Sequence, residues 1–191
     1  MNYLILVNRS NPMLDSYYEK LDLVECKNII GKPTKVDRIA YSAYLELKEF
    51  LKTNNIFIEI DSAFRDVEYQ QRIIDSYIKE YGIEYTKRYV APIGTSEHHT
   101  GLAIDLALIV NGINMIEPDD LFANEDIFLE IHKDLANYGF ILRYLKGKED
   151  ITGYDYEPWH IRYVGKEVAK EICETNQTLE EYLQNIGEEG K

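Results

Sequence analysis

The chain has 191 residues, enough for one domain with a true apolar core and short of two ordinary ones. Its 34 Asp and Glu outnumber 21 Lys and Arg, and the net charge of −13 argues against a nucleic-acid groove or an anionic membrane surface, both of which need clustered cations. A hydrophobic content of 45% and an aromatic content of 12%, with 16 tyrosines, exclude a disordered chain and point to many half-wet aromatic positions.

The first apolar run, residues 3–7, reads as a strand ended by Asn8-Arg9-Ser10-Asn11-Pro12. It is too short for a signal-peptide core and no basic segment precedes it. No apolar run approaches 18 residues, so the chain as written is expected to be soluble and cytoplasmic. Residues 1–35 read as a wrapping arm with little periodicity. From Val36 a helical face appears, with Ile39, Ala40, Ala43, Leu47, Phe50 and Leu51 on one side and Asn54-Asn55 as its stop. Residues 56–60 alternate as a strand. Asp66 caps a helix predicted to run to residue 81 and close at Gly82.

Residues 83–101 hold few apolar positions and include Pro92, Gly94 and Gly101; they read as a long loop of the kind that carries function. Residues 102–110 form a β-rich run with a single charge, Asp105. Asn111-Gly112 is a strong hairpin signal, with 113–116 as the return strand. A helix capped at Asn124 or Asp126 is expected to end at Gly139, followed by a strand at 140–144. A polar segment at 146–155, a strand at 161–164 and two helices near 166–174 and 178–186 complete the chain, with 187–191 as a frayed tail. No repeat or linker interrupts it, so residues 1–191 read as a single α+β domain. Cys26 and Cys173 stand in no metal spacing and read as reduced and inert.

The chemistry concentrates in two places. A lone carboxylate inside Leu102-Ala103-Ile104-Asp105-Leu106-Ala107-Leu108 must be paired or must coordinate a metal. His98 precedes it by seven residues, across the turn that Gly101 permits. Near the other end, Glu157-Pro158-Trp159-His160 places a Glu and a His three apart. Neutral imidazoles with a carboxylate suit zinc, three protein ligands leave a position open for water, and a further Glu is a natural base.

Ser96-Glu97-His98-His99-Thr100-Gly101-Leu102-Ala103-Ile104-Asp105 resembles the SxHxxGxAxD motif of the VanY-type zinc D-alanyl-D-alanine carboxypeptidases, relatives of the VanX dipeptidases. Glu157-Pro158-Trp159-His160 resembles their ExxH signature. Ser62-Ala63-Phe64-Arg65-Asp66-Val67-Glu68-Tyr69-Gln70 resembles their SGYRSxxxQ segment, and the three stand in the family's order and spacing. The resemblance implies a small, mostly antiparallel sheet flanked by helices, with the zinc site in a cleft on the sheet. It implies zinc held by His98, Asp105 and His160, and Glu157 as the general base. It gives Arg65 to the scissile carbonyl and oxyanion, and Ser96 and Gln70 to the substrate. The implied reaction is hydrolysis of the C-terminal D-Ala-D-Ala bond of peptidoglycan precursor peptides, with D-Ala-D-Ala dipeptidase activity beside it and a role in glycopeptide resistance. The chain departs from the pattern at Ala63, Phe64 and Asp66, and His99 stands where Gln is frequent; His99 is expected to be a neighbour, not a ligand.

The rival readings are an L,D-carboxypeptidase acting on tetrapeptides, a non-catalytic peptidoglycan-binding module and a phage-type endopeptidase. A dipeptidase needs a group for the substrate ammonium, which Asp61 or Asp66 would supply. Read blandly, Glu157 is a surface carboxylate, Arg65 a structural partner of Asp61 or Asp66, and Gln70 a solvent-facing helical residue. Arg143 and Arg162 read as structural partners of the acidic surplus, His132 as a surface or half-buried histidine and Trp159 as a wall behind His160. An anionic substrate must find a local exception to the global field, supplied by zinc and Arg65 with Arg88, Arg143 or Arg162.

Overall fold

The computed structural model describes residues 2–189, without the side chains of residues 88, 89, 188 and 189. In chain order, the one-turn helix α1 (Asp15–Tyr18) leads to a hairpin of β1 (Leu23–Lys27) and β2 (Pro33–Asp37). Helix α2 (Arg38–Thr53) follows directly, because the Asp37 carboxylate accepts from the N–H groups of Ile39 at 2.9 Å and Ala40 at 3.1 Å. Ala40, Ala43, Tyr44, Leu47 and Leu51 form its buried face. Ile39, predicted on that face, is 46% exposed, while Ala40 beside it in the same turn is fully buried.

Strand β3 (Ile58–Ser62) ends at the site, and Asp66 caps helix α3 (Val67–Tyr81), its carboxylate accepting from Tyr69 N at 2.6 Å. Helix α4 (Ile83–Tyr89) occupies part of the predicted loop. Among its described side chains only Thr86 is buried, so no apolar stripe announced it. A 3-10 turn at Glu97–Thr100 closes on Gly101, whose φ of 72° needs glycine. Strand β4 (Ala103–Val110) and β5 (Ile113–Met115) form the expected hairpin, with Asn111 and Gly112 at φ 53° and 77°. Helix α5 (Pro118–Ala123) was not foreseen. The expected helix to 138 is broken into α6 (Glu125–His132) and a 3-10 turn at Leu135–Tyr138. Strand β6 (Phe140–Leu142), the short helix α7 (Glu149–Thr152), β7 (His160–Tyr163), α8 (Lys166–Thr175) and α9 (Leu179–Glu189) complete the order. The tail expected at 187–191 is helical as far as Glu189; Gly190 and Lys191 lie outside the described residues.

Strands β3, β4, β7 and β6 lie side by side in that order, β5 pairs with β4, and all these pairings are antiparallel. Alternation along β4 and β7 separates two faces. Ile104, Leu106, Leu108 and Ile161 join Ile58 and Ile60 in the core, beneath α2 and the buried Phe128, Ile131 and Leu135. On the other face the register sets Asp105 beside His160 and Ala103 beside Arg162. A register shift between Ile60 and Ser62 brings Ser62 opposite Asp105. Ser62, Asp105 and His160, from three strands, thus share one row.

The run at 3–7 is not a strand. The carbonyls of Tyr3 and Ile5 accept from the Arg162 guanidinium at 3.0 and 2.8 Å, so a side chain supplies the donors that a neighbouring strand would have given.

Candidate metal centre

The turn before β4 and the strand itself bring the ligand candidates together. Arg65 N donates to the carbonyl of His98 at 3.2 Å, and His99 Nδ1 lies 2.6 Å from the carbonyl of Arg65. Gly94 N donates to His99 Nε2 at 3.2 Å. That nitrogen is therefore an acceptor and the proton sits on Nδ1. Both ring nitrogens of His99 are spent on backbone, so it is a neighbour that locks the Arg65 segment to the turn.

His98 Nδ1 lies 2.7 Å from the carbonyl of Ala63, which fixes the proton there and leaves the Nε2 lone pair for the site. Nε2 lies 3.1 Å from Asp105 Oδ2, and His160 Nδ1 lies 2.9 Å from Asp105 Oδ1. His98, Asp105 and His160 are buried, and one ligand atom from each lies within 4.8 Å of the others. Asp105 Oδ1 is buried with no hydrogen-bond donor although an imidazole nitrogen faces it. Two imidazoles and a carboxylate whose lone pairs converge form a donor set that fits zinc with an open position.

The electrostatics agree with that fit. Burial, reinforced by the Arg65 charge, pushes His98 down to about 4, so it is neutral near pH 7 as a ligand must be. Burial also opposes a charge on His160, but Asp105 and Glu97 beside it outweigh that and lift it to about 9. Without a metal, a proton therefore occupies His160. Asp105 is held well below the carboxylate range, because the neighbouring imidazoles outweigh the burial that opposes ionisation.

Glu157 stands 3.7 Å from His160 Nδ1, at the rim, with its side chain 30% exposed. Burial is the main cause that raises its carboxyl to about 7; His160 opposes it and Asp105 adds to it. His132, half-buried as expected, lies 2.8 Å from the carbonyl of Pro158 and steadies the Glu157–His160 segment from behind. Trp159 packs edge-on against Phe122 with ring centres 5.1 Å apart.

Arg65 donates from Nε to Ser62 Oγ at 3.0 Å and from Nη2 to Asp105 Oδ2 at 2.9 Å. Its partner is therefore Asp105; Asp66 is engaged as the cap of α3. A cavity of about 740 Å³ opens over the centre, lined by Arg65, Ser96, His98, Asp105, Glu157 and His160, together with Asp61. Asp66 and Phe64 line a different cavity beside the β1–β2 hairpin.

Gln70 stands apart from the other proposed site residues. It is fully buried and outside the cavity lining, and its Nε2 donates to the carbonyl of Ala91 at 2.8 Å. This placement corrects the solvent-facing reading: the side chain is inside the fold and supports the 83–101 segment. Arg143 and Arg162 are also fully buried and bonded to Glu97, so neither is available to a substrate carboxylate; the side chain of Arg88 lies outside the described residues. The residue that sequence reasoning passed over is Glu97. It reads as an ordinary loop acid in sequence, and only its contact with two arginines distinguishes it. Cys26 and Cys173 are both free, and among the described residues no helix is long and apolar enough to cross a membrane.

Comparison with known proteins agrees with this geometry. The family profile described as VanY, D-alanyl-D-alanine carboxypeptidase, matches residues 33–166. The bifunctional D-Ala-D-Ala dipeptidase and carboxypeptidase VanXYC of Enterococcus gallinarum is 42% identical over 132 residues, covering 65% of this chain and 65% of that protein. The chain spans about two thirds of the length of such curated relatives. Among solved structures, a vancomycin-resistance D,D-pentapeptidase VanY in complex with Zn(II) aligns with a TM-score of 0.78 at 32% identity, over 96% of this chain and 99% of that one. The LdcB LD-carboxypeptidase aligns with a TM-score of 0.79 at 34% identity, over 96% and 86%. The ordered motifs, the converging ligand atoms and these matches lead to one conclusion: the chain belongs to the VanY D-alanyl-D-alanine carboxypeptidase family.

Proposed function

We propose that this protein is a zinc D,D-carboxypeptidase that removes the terminal D-Ala from peptidoglycan precursor peptides, with dipeptidase activity on D-Ala-D-Ala beside it. The observation that carries the reading is the convergence of His98, Asp105 and His160 within 4.8 Å, under an open cavity that Glu157 and Arg65 also line. When bound there, zinc supplies a Lewis acid that lowers the pKa of water far enough for attack near neutral pH.

The chain's own residues do the rest. Glu157, with its carboxyl lifted to about 7, takes the proton from the attacking water and hands it to the departing amine. The Arg65 guanidinium polarises the scissile carbonyl as negative charge develops on its oxygen. Ser96, at the cavity wall, offers a hydroxyl to the peptide. Asp61, pushed up to about 6 by burial, lines the same cavity and suits the ammonium of a free dipeptide; Asp66 does not reach it. The local cations also answer the net charge of −13, which would otherwise repel a substrate ending in a carboxylate.

The likeness to the LdcB LD-carboxypeptidase supports a second reading, cleavage of an L,D bond in a tetrapeptide. One experiment separates them: zinc-loaded protein assayed on a D-Ala-D-Ala-terminated pentapeptide, on D-Ala-D-Ala and on the tetrapeptide. The expected outcome is D-Ala release from the pentapeptide, lost on chelation and restored by zinc. Release from the tetrapeptide alone selects the L,D reading. Inactivity on all three, or full activity of metal-free protein, defeats the proposal.

A further inference from the structure

We propose that Glu97 is the positioning residue for His160: its buried carboxylate, clamped by Arg143 and Arg162, keeps the ring proton on Nε2 and turns the Nδ1 lone pair toward Asp105 and His98. This rests on the zinc-peptidase reading above. Two buried atoms without hydrogen-bond partners face each other here, Glu97 Oε2 and His160 Nε2, 3.6 Å apart. On the opposite edge of the ring, Nδ1 lies 2.9 Å from Asp105 Oδ1. A proton on Nδ1 would point into the ligand cluster and remove a donor from it. A proton on Nε2 points at a fixed negative charge.

Glu97 is held in place by groups that cannot drift. Its Oε1 accepts from Arg143 Nε and Arg162 Nη1, both at 2.7 Å, and all three side chains are fully buried. Arg143 also donates through both terminal nitrogens to Glu180 of α9, at 2.8 and 2.7 Å. Arg162 donates onward to the carbonyls of Tyr3, Ile5 and Tyr163. Two carboxylates and two guanidiniums cancel in charge, so Glu97 stays ionised in a medium that would otherwise protonate it. The two ligand histidines are therefore oriented by different means. His98 has its remote nitrogen on a backbone carbonyl, and His160 has its remote nitrogen facing a charge carried between the two ends of the chain. Such partners of ligand imidazoles set tautomer and ring direction, and their loss typically weakens metal binding about tenfold to a hundredfold.

The test uses the full-length protein and zinc alone as probe. Zinc affinity is measured by chelator competition, and the absorption spectrum of the cobalt-substituted protein reports ligand geometry. Glu97→Gln is expected to bind zinc about tenfold to a hundredfold more weakly, with an altered cobalt spectrum. Glu180→Gln, which removes the outer partner of Arg143 and leaves Glu97 facing His160, is expected to lower the melting temperature with zinc affinity unchanged. If Glu97→Gln does not fold, the zinc-loaded wild type decides: in ¹⁵N-histidine spectra the His160 proton must sit on Nε2. A His160 proton on Nδ1, wild-type zinc affinity in Glu97→Gln, or an equal loss of zinc in Glu180→Gln overturns the proposal alone. A wild-type protein that binds no zinc overturns the peptidase reading and this inference together.

Discussion

On one face of the sheet, Ile58, Ile60, Ile104, Leu106, Leu108 and Ile161 pack beneath α2 in contact with other apolar side chains. On the other face of the same strands, Asp105, His160 and Arg162 are also buried but meet charges. The apolar face stabilises the fold by removing area from water, a term that is non-directional and roughly additive. The polar face loses solvation for every charge it holds and is tolerable only as a set: Glu97 needs Arg143 and Arg162, and Arg143 needs Glu180. Stability and chemistry thus sit on opposite faces of the same strands, and the two faces are expected to fail in different ways.

The largest expected effect is chemical. Glu157→Gln should reduce kcat by about 10²–10⁴-fold while zinc stays bound and the melting temperature at neutral pH does not fall, because the residue sits at the rim and is not a ligand. Steady-state kinetics with zinc analysis checks this, and surviving activity removes Glu157 from its role. Next is Arg143→Ala, which removes one of the two guanidiniums on Glu97 and the bidentate partner of Glu180, and should cost about 3–5 kcal/mol in urea unfolding. A cost near zero would mean that the polar face is not the interdependent set described. On the apolar face, Leu47→Ala should cost about 2–5 kcal/mol, yet leave zinc affinity at the wild-type value. Loss of zinc affinity there would show that the two faces are coupled.

The last effect is in pH dependence, and it belongs to the polar face. The Glu157 carboxyl titrates near 4.5 when unfolded and at about 7 when folded. Between those values the unfolded chain releases a proton that the folded one retains, so metal-free wild type loses stability relative to Glu157→Gln as pH rises from 4.5 to 7, with no further change above. Melting temperatures of the two proteins across that range test it, and a constant gap would mean that the carboxyl is not desolvated.

Much of this was legible in one dimension. The lone Asp105 in an apolar run, His98 seven residues before it and the Glu157–His160 pair marked the centre, because a buried charge needs a reason that neighbouring residues must supply. The Asn111-Gly112 turn and the Asp66 cap were legible because each is set by its own few residues. The β1–β2 hairpin was hidden: it is a two-stranded piece buried on neither face as a clear alternation. The apolar run at 3–7 was misleading, since its carbonyls are satisfied by Arg162, more than 150 residues away in sequence.

By itself, the sequence determined the residue types of the site, the local turns and caps, and the alternation that divides β4 into an apolar and a charged face. These follow from interactions among residues close along the chain, or from the bare cost of burying a charge. The tertiary structure alone decided which charges pair, that Arg65 leans on Asp105, that Gln70 is buried against the Ala91 carbonyl and that Glu97 faces His160. Those outcomes depend on strand register and on contacts between distant segments. Hydrogen bonding and Coulomb attraction act through space, and no spacing along the chain records them.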